Sequence, residues 1–254
     1  MSPLRDRAIA AAKRYLPSGL RNRVVETQRA LHLQWPPAGA VRFGHLRRLT
    51  PISPIFGFDR GVPIDRYYID RFLDRHRLDI RGRAMEFGDT TYLDRFGDNR
   101  VRQKDIFSYV PSAVATIVGD LTGPAVLAAN SFDCIVCTQT VQMIYDIGLA
   151  VRRLHAMLKP GGVLLLTSNG IIRTGRHLDT DGWGEYWHIT QQAARSLFAE
   201  NFDGGATIEG YGNVLSATCA LHGMAASELT DEELNHADRD YDVLVAVRAV
   251  KRGD

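Results

Sequence analysis

Apolar positions change their spacing along this chain. From about residue 60 onward, short apolar runs alternate with stretches in which apolar residues recur every three or four positions. The runs are typical of buried strands, and the longer spacing is typical of helices that bury one face. The alternation predicts an α/β fold with a mostly parallel sheet and helices on both faces.

Seven runs are predicted as strands: residues 83–88, 100–105, 115–119, 132–138, 163–168, 207–211 and 241–250. The helical spacing predicts three helices, over residues 64–76, 141–158 and 190–200. A Lys-Pro-Gly-Gly sequence at 159–162 ends the second helix, because Pro and Gly cannot continue it.

Residues 1–59 are predicted to form a basic helical segment and connector, and residues 60–254 the sheet domain. Apolar residues within 3–33 have helical spacing and are interrupted at Pro17, which predicts one or two amphipathic helices. Residues 1–60 hold eleven Lys or Arg against three Asp or Glu, whereas the whole chain has a net charge of only +2. Docking on the sheet domain, contact with a second copy in a homo-oligomer, and contact with an anionic membrane surface all stay open for the basic face.

Other classes of protein are excluded by composition. The sequence has no uncharged apolar run of the roughly 18 residues that a membrane-spanning helix needs. Arg5, Arg7 and Lys13 interrupt any secretory signal, so we expect a cytoplasmic protein. The basic residues accompany no nucleic-acid-binding motif, so nucleic acid is not an expected partner. Cys134 and Cys137 are three apart in a predicted strand and point to opposite faces, which predicts core residues rather than a metal or redox pair.

Polar residues follow several predicted strands. An open parallel sheet binds ligands at the carboxyl ends of its strands, where the strand order reverses. Glu86 and Gly88 end the first predicted strand, Asp105 ends the second, and Asp120 follows the third. Asp105 comes 17 residues after Gly88, close to the ~20 at which an acidic residue meets a ribose diol in nucleotide-binding folds. Turn-forming or capping roles for the two aspartates stay open.

The order of these segments resembles class I S-adenosylmethionine (SAM)-dependent methyltransferases over about residues 60–250. The most specific stretch is NSFDCIVCTQTVQMIYDIGLAVRRLHAMLKPGGVLLLTSNG at 130–170, in which strand, helix, turn and strand follow as in that family. The stretches RGVPIDRYYIDRFL, EFGDTTYLDRFG, DGWGEYWHIT and LHGMAASELT resemble a bacterial branch associated with glycan or natural-product biosynthesis. The resemblance implies a Rossmann-like seven-stranded sheet, SAM as cofactor and transferase activity (EC 2.1.1).

The resemblance also implies which residues hold SAM. They are Glu86 and Gly88 for the methionine moiety, Asp105 for the ribose, Ile106, Asp120 and Leu121 for the adenine, Thr138 and Gln139 for the other side of the cofactor, and Arg60 and Tyr68 for its carboxylate. The family's E-x-G-x-G-x-G motif is only partly present, because Thr90 and Tyr92 stand at the later glycine positions. This departure keeps a second hypothesis open, a non-catalytic binding or interaction protein that retains the fold.

Methyl transfer to oxygen or nitrogen requires removal of a proton, so we expect a general base on the loops after the fifth strand. His188 is the first choice and His177 the second. The predicted acceptor-binding residues are Trp183, Tyr186, Trp187 and His222. Aromatic residues beside a titratable group are typical of an acceptor pocket, with packing of these residues in the core as the alternative. The resemblance to the glycan and natural-product branch implies O-methylation of a sugar-containing or other small metabolite by in-line transfer.

Overall fold

The computed structural model describes residues 17–31, 36–37, 39–123 and 128–253. The chain divides into two compact units, Met1–Leu49 and Thr50–Asp254. The sheet unit thus begins ten residues before the predicted boundary at residue 60. Its first residues belong there because the backbone N–H groups of Ile52 and Ser53 donate to the His222 carbonyl, at 2.8 and 3.0 Å.

The first unit contains helix α1 (Ser18–Ala30) and a 3-10 turn at Gly44–Leu46. Helix α1 begins directly after Pro17, in agreement with the predicted interruption there. Its Leu20 and Val24 side chains are exposed. The predicted helical positions before Pro17 lie outside the described residues.

The second unit contains one sheet of seven strands: β1 (Gly82–Phe87), β2 (Val101–Ser108), β3 (Ile117–Val118), β4 (Phe132–Thr138), β5 (Leu158–Asn169), β6 (Ala206–Tyr211) and β7 (Leu244–Val250). Their order is β3-β2-β1-β4-β5-β7-β6, and β7 runs antiparallel to both neighbours. The predicted Rossmann-like, mostly parallel sheet is therefore confirmed. Because the order reverses between β1 and β4, a ligand crevice is expected at the carboxyl ends of these two strands.

Helices cover both faces of the sheet. They are α2 (Ile64–Arg75), α3 (Thr91–Phe96), α4 (Ile147–Met157), α5 (Leu178–Asp181), α6 (Gln191–Phe202), α7 (Val214–Leu221) and α8 (Asp231–Asn235). One core is formed by α2, α3, α7 and α8 against the sheet, and the other by α4 and α6. The helices predicted over 64–76 and 190–200 agree closely with α2 and α6, and each buries an apolar stripe. The helix predicted over 141–158 is shorter, because residues Val141–Met143 form a 3-10 turn before α4.

The two cysteines of β4 show how the strand divides these cores. Cys134 belongs to the α2 side and Cys137 to the α4 side, and both are free thiols. Burial raises the pKa of Cys137 to about 12, so its thiol stays protonated. Their prediction as core residues is confirmed. No group of described residues has the composition of a metal site, and no described helix is long and apolar enough to cross a bilayer.

Candidate cofactor and acceptor site

The turn after β1 is held by the chain's own carboxylates. Glu86, only 2% exposed, accepts hydrogen bonds from the backbone N–H groups of Tyr92 and Leu93 at 3.1 and 2.9 Å. Asp89 accepts from the Thr91 N–H at 2.8 Å. These three donors form the first turn of α3, where no helical carbonyl can pair with them. Side-chain acceptors thus satisfy this helix start, and contact of Glu86 with a methionine moiety stays a prediction.

Burial also changes the ionisation of this carboxyl group. It raises the pKa of Glu86 to about 7, although the two N–H donors from α3 favour the ionised form. Near neutral pH the group is therefore divided between its neutral and charged forms.

Gly88 keeps the feature expected of a cofactor-binding turn. Its φ is +86°, a conformation that favours glycine, and a side chain added there would meet nothing within 4 Å. Open space therefore lies beside the backbone at the end of β1. This geometry fits the close approach of a cofactor at the predicted position.

The structure gives Asp105 a different place from the predicted one. Strand β2 continues to Ser108, so Asp105 lies three residues before its end. Its side chain, 8% exposed, accepts hydrogen bonds from Arg83 Nε at 2.7 Å and Thr116 Oγ1 at 3.2 Å. The structure therefore does not support the ribose assignment, because donors of the chain itself already occupy this carboxylate.

The predicted adenine residues differ in their surroundings. Asp120 accepts hydrogen bonds from the Thr122 N–H at 2.7 Å and from its hydroxyl at 2.8 Å, which is the turn-forming alternative. Leu121 is buried in the core under α4 and α6. Both residues have structural roles in this loop, and their contact with adenine stays a prediction. Ile106 is half-buried on β2 beside Glu86, and its contact with adenine stays a prediction.

Arg60 and Tyr68, the residues predicted for the cofactor carboxylate, both have partners within the chain. The Arg60 guanidinium forms a two-pronged ion pair with Glu228, through Nε at 2.8 Å and through Nη2. Tyr68 is 1% exposed, and its hydroxyl donates to the Leu234 carbonyl at 2.9 Å. A partner within the fold already satisfies each polar group, so contact of Arg60 and Tyr68 with a cofactor carboxylate stays a prediction.

The carboxyl ends of β4 and β5 hold a network of amides. Thr138 ends β4, and Gln139 follows with φ +48°, which is uncommon for a residue other than glycine. Gln142 Nε2 donates to Gln139 Oε1 at 2.7 Å, and the Ser168 hydroxyl donates to Gln142 Oε1 at 3.3 Å. Among the described residues, nothing accepts a hydrogen bond from the buried Gln139 Nε2. A strained backbone and an unpartnered donor fit the predicted role of Gln139 beside a ligand.

A carboxylate faces His188 on the loop after β5. The Glu185 side chain is 3% exposed, and its oxygens accept hydrogen bonds from Asn169 Nδ2 and from the Gly175 N–H at 2.6 Å. His188 Nε2 lies 3.5 Å from Glu185 Oε1. The imidazole also lines a cavity of about 490 Å³ together with Gln191, whose amide donates to a carboxylate across it. The arrangement resembles the base and orienting carboxylate of general-base catalysis.

The aromatic residues near His188 form an exposed cluster, not a core. Trp183, Tyr186 and Trp187 are 41, 47 and 38% exposed, and Tyr145 joins them at 72%. Tyr145 stacks on Trp187 with ring centroids 6.1 Å apart, and the Trp187 indole N–H donates to the Ile144 carbonyl at 3.0 Å. Exposed, oriented rings of this kind mark a contact surface.

The other two histidines that were predicted as site residues, His177 and His222, both lie at helix ends. His177 is exposed and precedes the short helix α5, where its backbone N–H donates to Asp181 at 2.8 Å. His222 ends α7, and its carbonyl anchors residues 52 and 53. Among the described residues, nothing forms a hydrogen bond with the buried His222 Nδ1, and the predicted acceptor role of His222 stays a prediction.

Sequence reasoning missed Gln142, Asn169 and Tyr145. The i, i+3 spacing of the two glutamines in QTVQ was a usable signal, since such residues meet on one side of a turn. Asn169 directly follows the predicted fifth strand and therefore stood at the expected edge. Tyr145 gave no local signal, because its partners come about forty residues later.

Comparison with known proteins finds a family that matches part of the chain. Residues 87–166 match the family described as "Methyltransferase domain". The match covers about a third of the chain, from the end of β1 into β5. It assigns this segment to a methyltransferase domain and indicates SAM as the cofactor. No curated protein sequence matches the chain.

Several solved structures share part of the architecture. The SAM-dependent methyltransferase from Mesorhizobium loti is 16% identical, with a TM-score of 0.47, over 77% of this chain and 100% of that one. The [4+2]-cyclase SpnF is 20% identical over 74% and 81%, with a TM-score of 0.47. The N-methyltransferase NodS from Bradyrhizobium japonicum, bound to S-adenosyl-L-homocysteine, is 13% identical over 76% and 90%, with a TM-score of 0.45. Likenesses this distant support no conclusion about chemistry.

Proposed function

We propose that this chain is a SAM-dependent methyltransferase that O-methylates a small, sugar-containing acceptor, with His188 as the general base. The observation that carries the proposal is the 3.5 Å contact between His188 Nε2 and the buried Glu185 carboxylate. A carboxylate in this position orients an imidazole and stabilises the imidazolium that forms when the base takes a proton. The other ring nitrogen, Nδ1, is then the one that receives the acceptor's proton.

Bound SAM supplies a methyl group on a sulfonium, whose leaving group is already good. The chain therefore has to place the acceptor hydroxyl in line and remove its proton. Gly88 provides open backbone space on the cofactor side, and Gln139 provides an unpartnered amide donor. His188 provides the base on the acceptor side.

The surroundings of His188 support a hydroxylated acceptor. The cavity beside His188 is lined by Gln191, Arg195 and Asp242, so both hydrogen-bond donors and hydrogen-bond acceptors line it. The exposed aromatic cluster adds flat apolar surfaces, which suit the C–H face of a sugar ring. Polar and aromatic groups together favour a glycosylated metabolite over a purely apolar one.

The non-catalytic hypothesis has an observation of its own. Glu86 and Asp105, which the family resemblance implies for SAM, are both bonded within the chain. A protein that keeps the fold but has lost its cofactor would show the same arrangement. Titration of the purified protein with SAM and with S-adenosyl-L-homocysteine by calorimetry separates the two hypotheses. We expect micromolar binding, about −8 kcal/mol, and absence of binding at millimolar cofactor would leave the non-catalytic hypothesis standing.

The base is tested by transfer of a labelled methyl group from SAM to a panel of sugars and glycosylated metabolites. His188→Ala is expected to lower kcat by about 10²- to 10⁴-fold with unchanged SAM affinity. His236→Ala, an exposed histidine at the end of α8, is the matched control and is expected to keep the original kcat. Unchanged turnover in His188→Ala would remove this residue as the base, and methylation at nitrogen or carbon would overturn the assigned reaction.

A further inference from the structure

A second cavity lies at the opposite edge of the sheet. It has a volume of about 700 Å³ and opens where β1, β2, β4 and β5 begin. Strand β4 has seven residues, so the two edges are separated by roughly 20 Å at 3.3 Å per residue. The cavity is thus distinct from the methyltransferase site, and nothing in the proposed reaction uses it.

The lining of this cavity is strongly basic. Arg81, Arg100 and Arg102 face it against a single acidic residue, Asp133. That carboxylate is already neutralised, because Lys159 Nζ donates to it at 2.7 Å. Within the described part of the chain, no residue forms a hydrogen bond or a close ion pair with Arg81 or Arg102, and Asp133 interacts with Arg81 only at longer range. Two guanidinium groups therefore remain available to a ligand.

Two further features favour a bound anion over dispersed counterions. Arg100 is fixed in place, since its Nη2 donates to the Phe96 carbonyl at 2.7 Å and lies 3.1 Å from Asp98. Gly161 has φ +77°, and a side chain added there would meet nothing within 4 Å. A ligand can therefore approach the backbone at Gly161, in a cavity that the three arginines also line.

Arginine is suited to phosphate because its planar fork makes two parallel hydrogen bonds to neighbouring oxygens. Two such forks without partners, with a third beside them, match a pair of linked phosphates better than one. The cavity volume lies within the range of small-molecule sites, about 300–1,000 Å³, so a ligand larger than inorganic phosphate fits. We propose that this amino-edge cavity binds a soluble ligand that carries a diphosphate group.

The test is calorimetric titration of the full chain with inorganic pyrophosphate in the presence of saturating S-adenosyl-L-homocysteine. The double variant Arg81→Gln/Arg102→Gln is expected to bind pyrophosphate at least about tenfold more weakly, because two charge-assisted contacts are lost. Arg152→Gln, on the exposed side of α4, removes a positive charge elsewhere and is expected to bind like the original protein. Thermal unfolding of each variant shows that the fold is retained.

Two results would overturn the proposal. One is absence of pyrophosphate binding to the original protein at millimolar concentration. The other is equal loss of affinity in the double variant and in Arg152→Gln, which would indicate general charge attraction rather than a site. Vesicles containing an anionic phospholipid form a separate arm. Binding to vesicles that depends on Arg81 and Arg102, without binding of pyrophosphate, would assign the cavity to a lipid headgroup and contradict a soluble ligand.

Discussion

The carboxyl edge of the sheet has two halves that use their polar side chains differently. At β1 and β2, Glu86 is bonded to the start of α3, and Asp105 is ion-paired with Arg83. At β4 and β5, Gln139 retains an unpartnered amide, and His188 faces a cavity. In the first half, the carboxylates form hydrogen bonds and ion pairs within the chain. In the second half, an amide donor and a histidine base are available for a ligand.

The difference between the two halves depends on whether each buried polar group has a partner within the chain. A buried polar group that is satisfied within the chain supports the fold, while one left unsatisfied costs stability and persists where a ligand uses it. On the β1 side the backbone at Gly88 stays open. Any cofactor contact there has to involve backbone and open space more than charge.

The largest expected effect concerns Glu86 and the pH dependence of stability. Its folded pKa is about 7, against an ordinary value of 4.5, so the folded state holds this proton more tightly than the unfolded state. The contribution of Glu86 to stability is therefore fully present below pH 4.5 and falls by about 3 kcal/mol as the pH rises to 7. Urea unfolding of Glu86→Gln at pH 5 and 7.5 is expected to lack this decrease.

Glu200→Gln provides the control for that measurement, because this glutamate is exposed on α6. The variant is expected to keep the pH dependence of the unfolding free energy that the original protein has. An equal pH dependence in Glu86→Gln would mean that Glu86 is ionised throughout this pH range, which would contradict the raised pKa of the buried carboxyl group.

A smaller effect is expected at Asp105. Asp105→Asn removes the charge from a pair in which the carboxylate is nearly buried, so we expect a loss of about 2 kcal/mol in the free energy of unfolding. Asp70→Asn breaks the more exposed pair with Arg95 and is expected to cost less than about 1 kcal/mol. SAM affinity is expected to stay unchanged in both. A selective loss of SAM affinity in Asp105→Asn would restore its predicted place on the ribose.

Much of the fold was predictable because its signals are local. The bounds of β4 agree with the predicted 132–138, since apolar burial on both faces is visible along the strand itself. The end of β2 was misjudged for a different reason. Phe107 and Ser108 extend the strand through pairing with Phe87 and with β3, and sequence alone does not show these partners.

The same distinction separates the site residues that were found from those that were misassigned. His188 was found because it stands in one short stretch with Trp183, Tyr186 and Trp187, which the sequence shows directly. The partner of Arg60 lies 168 residues away, and that of Asp105 lies 22 residues away on another strand. The residue types suggested that each charged group binds a ligand. Only the fold shows that another residue of the chain is the partner of each charge.

The smallest effect is expected at Glu185, and it tests the second half of the edge most directly. Glu185→Gln keeps the shape of the side chain but removes the charge beside His188, so we expect kcat to fall about tenfold, or about 1.4 kcal/mol. KM and SAM affinity are expected to change little, because neither depends on the imidazolium. Glu185→Asp keeps the charge and is expected to recover part of the lost kcat. Equal kcat in the Gln and Asp variants, or a change confined to KM, would show that Glu185 only holds its loop through Asn169 and Gly175.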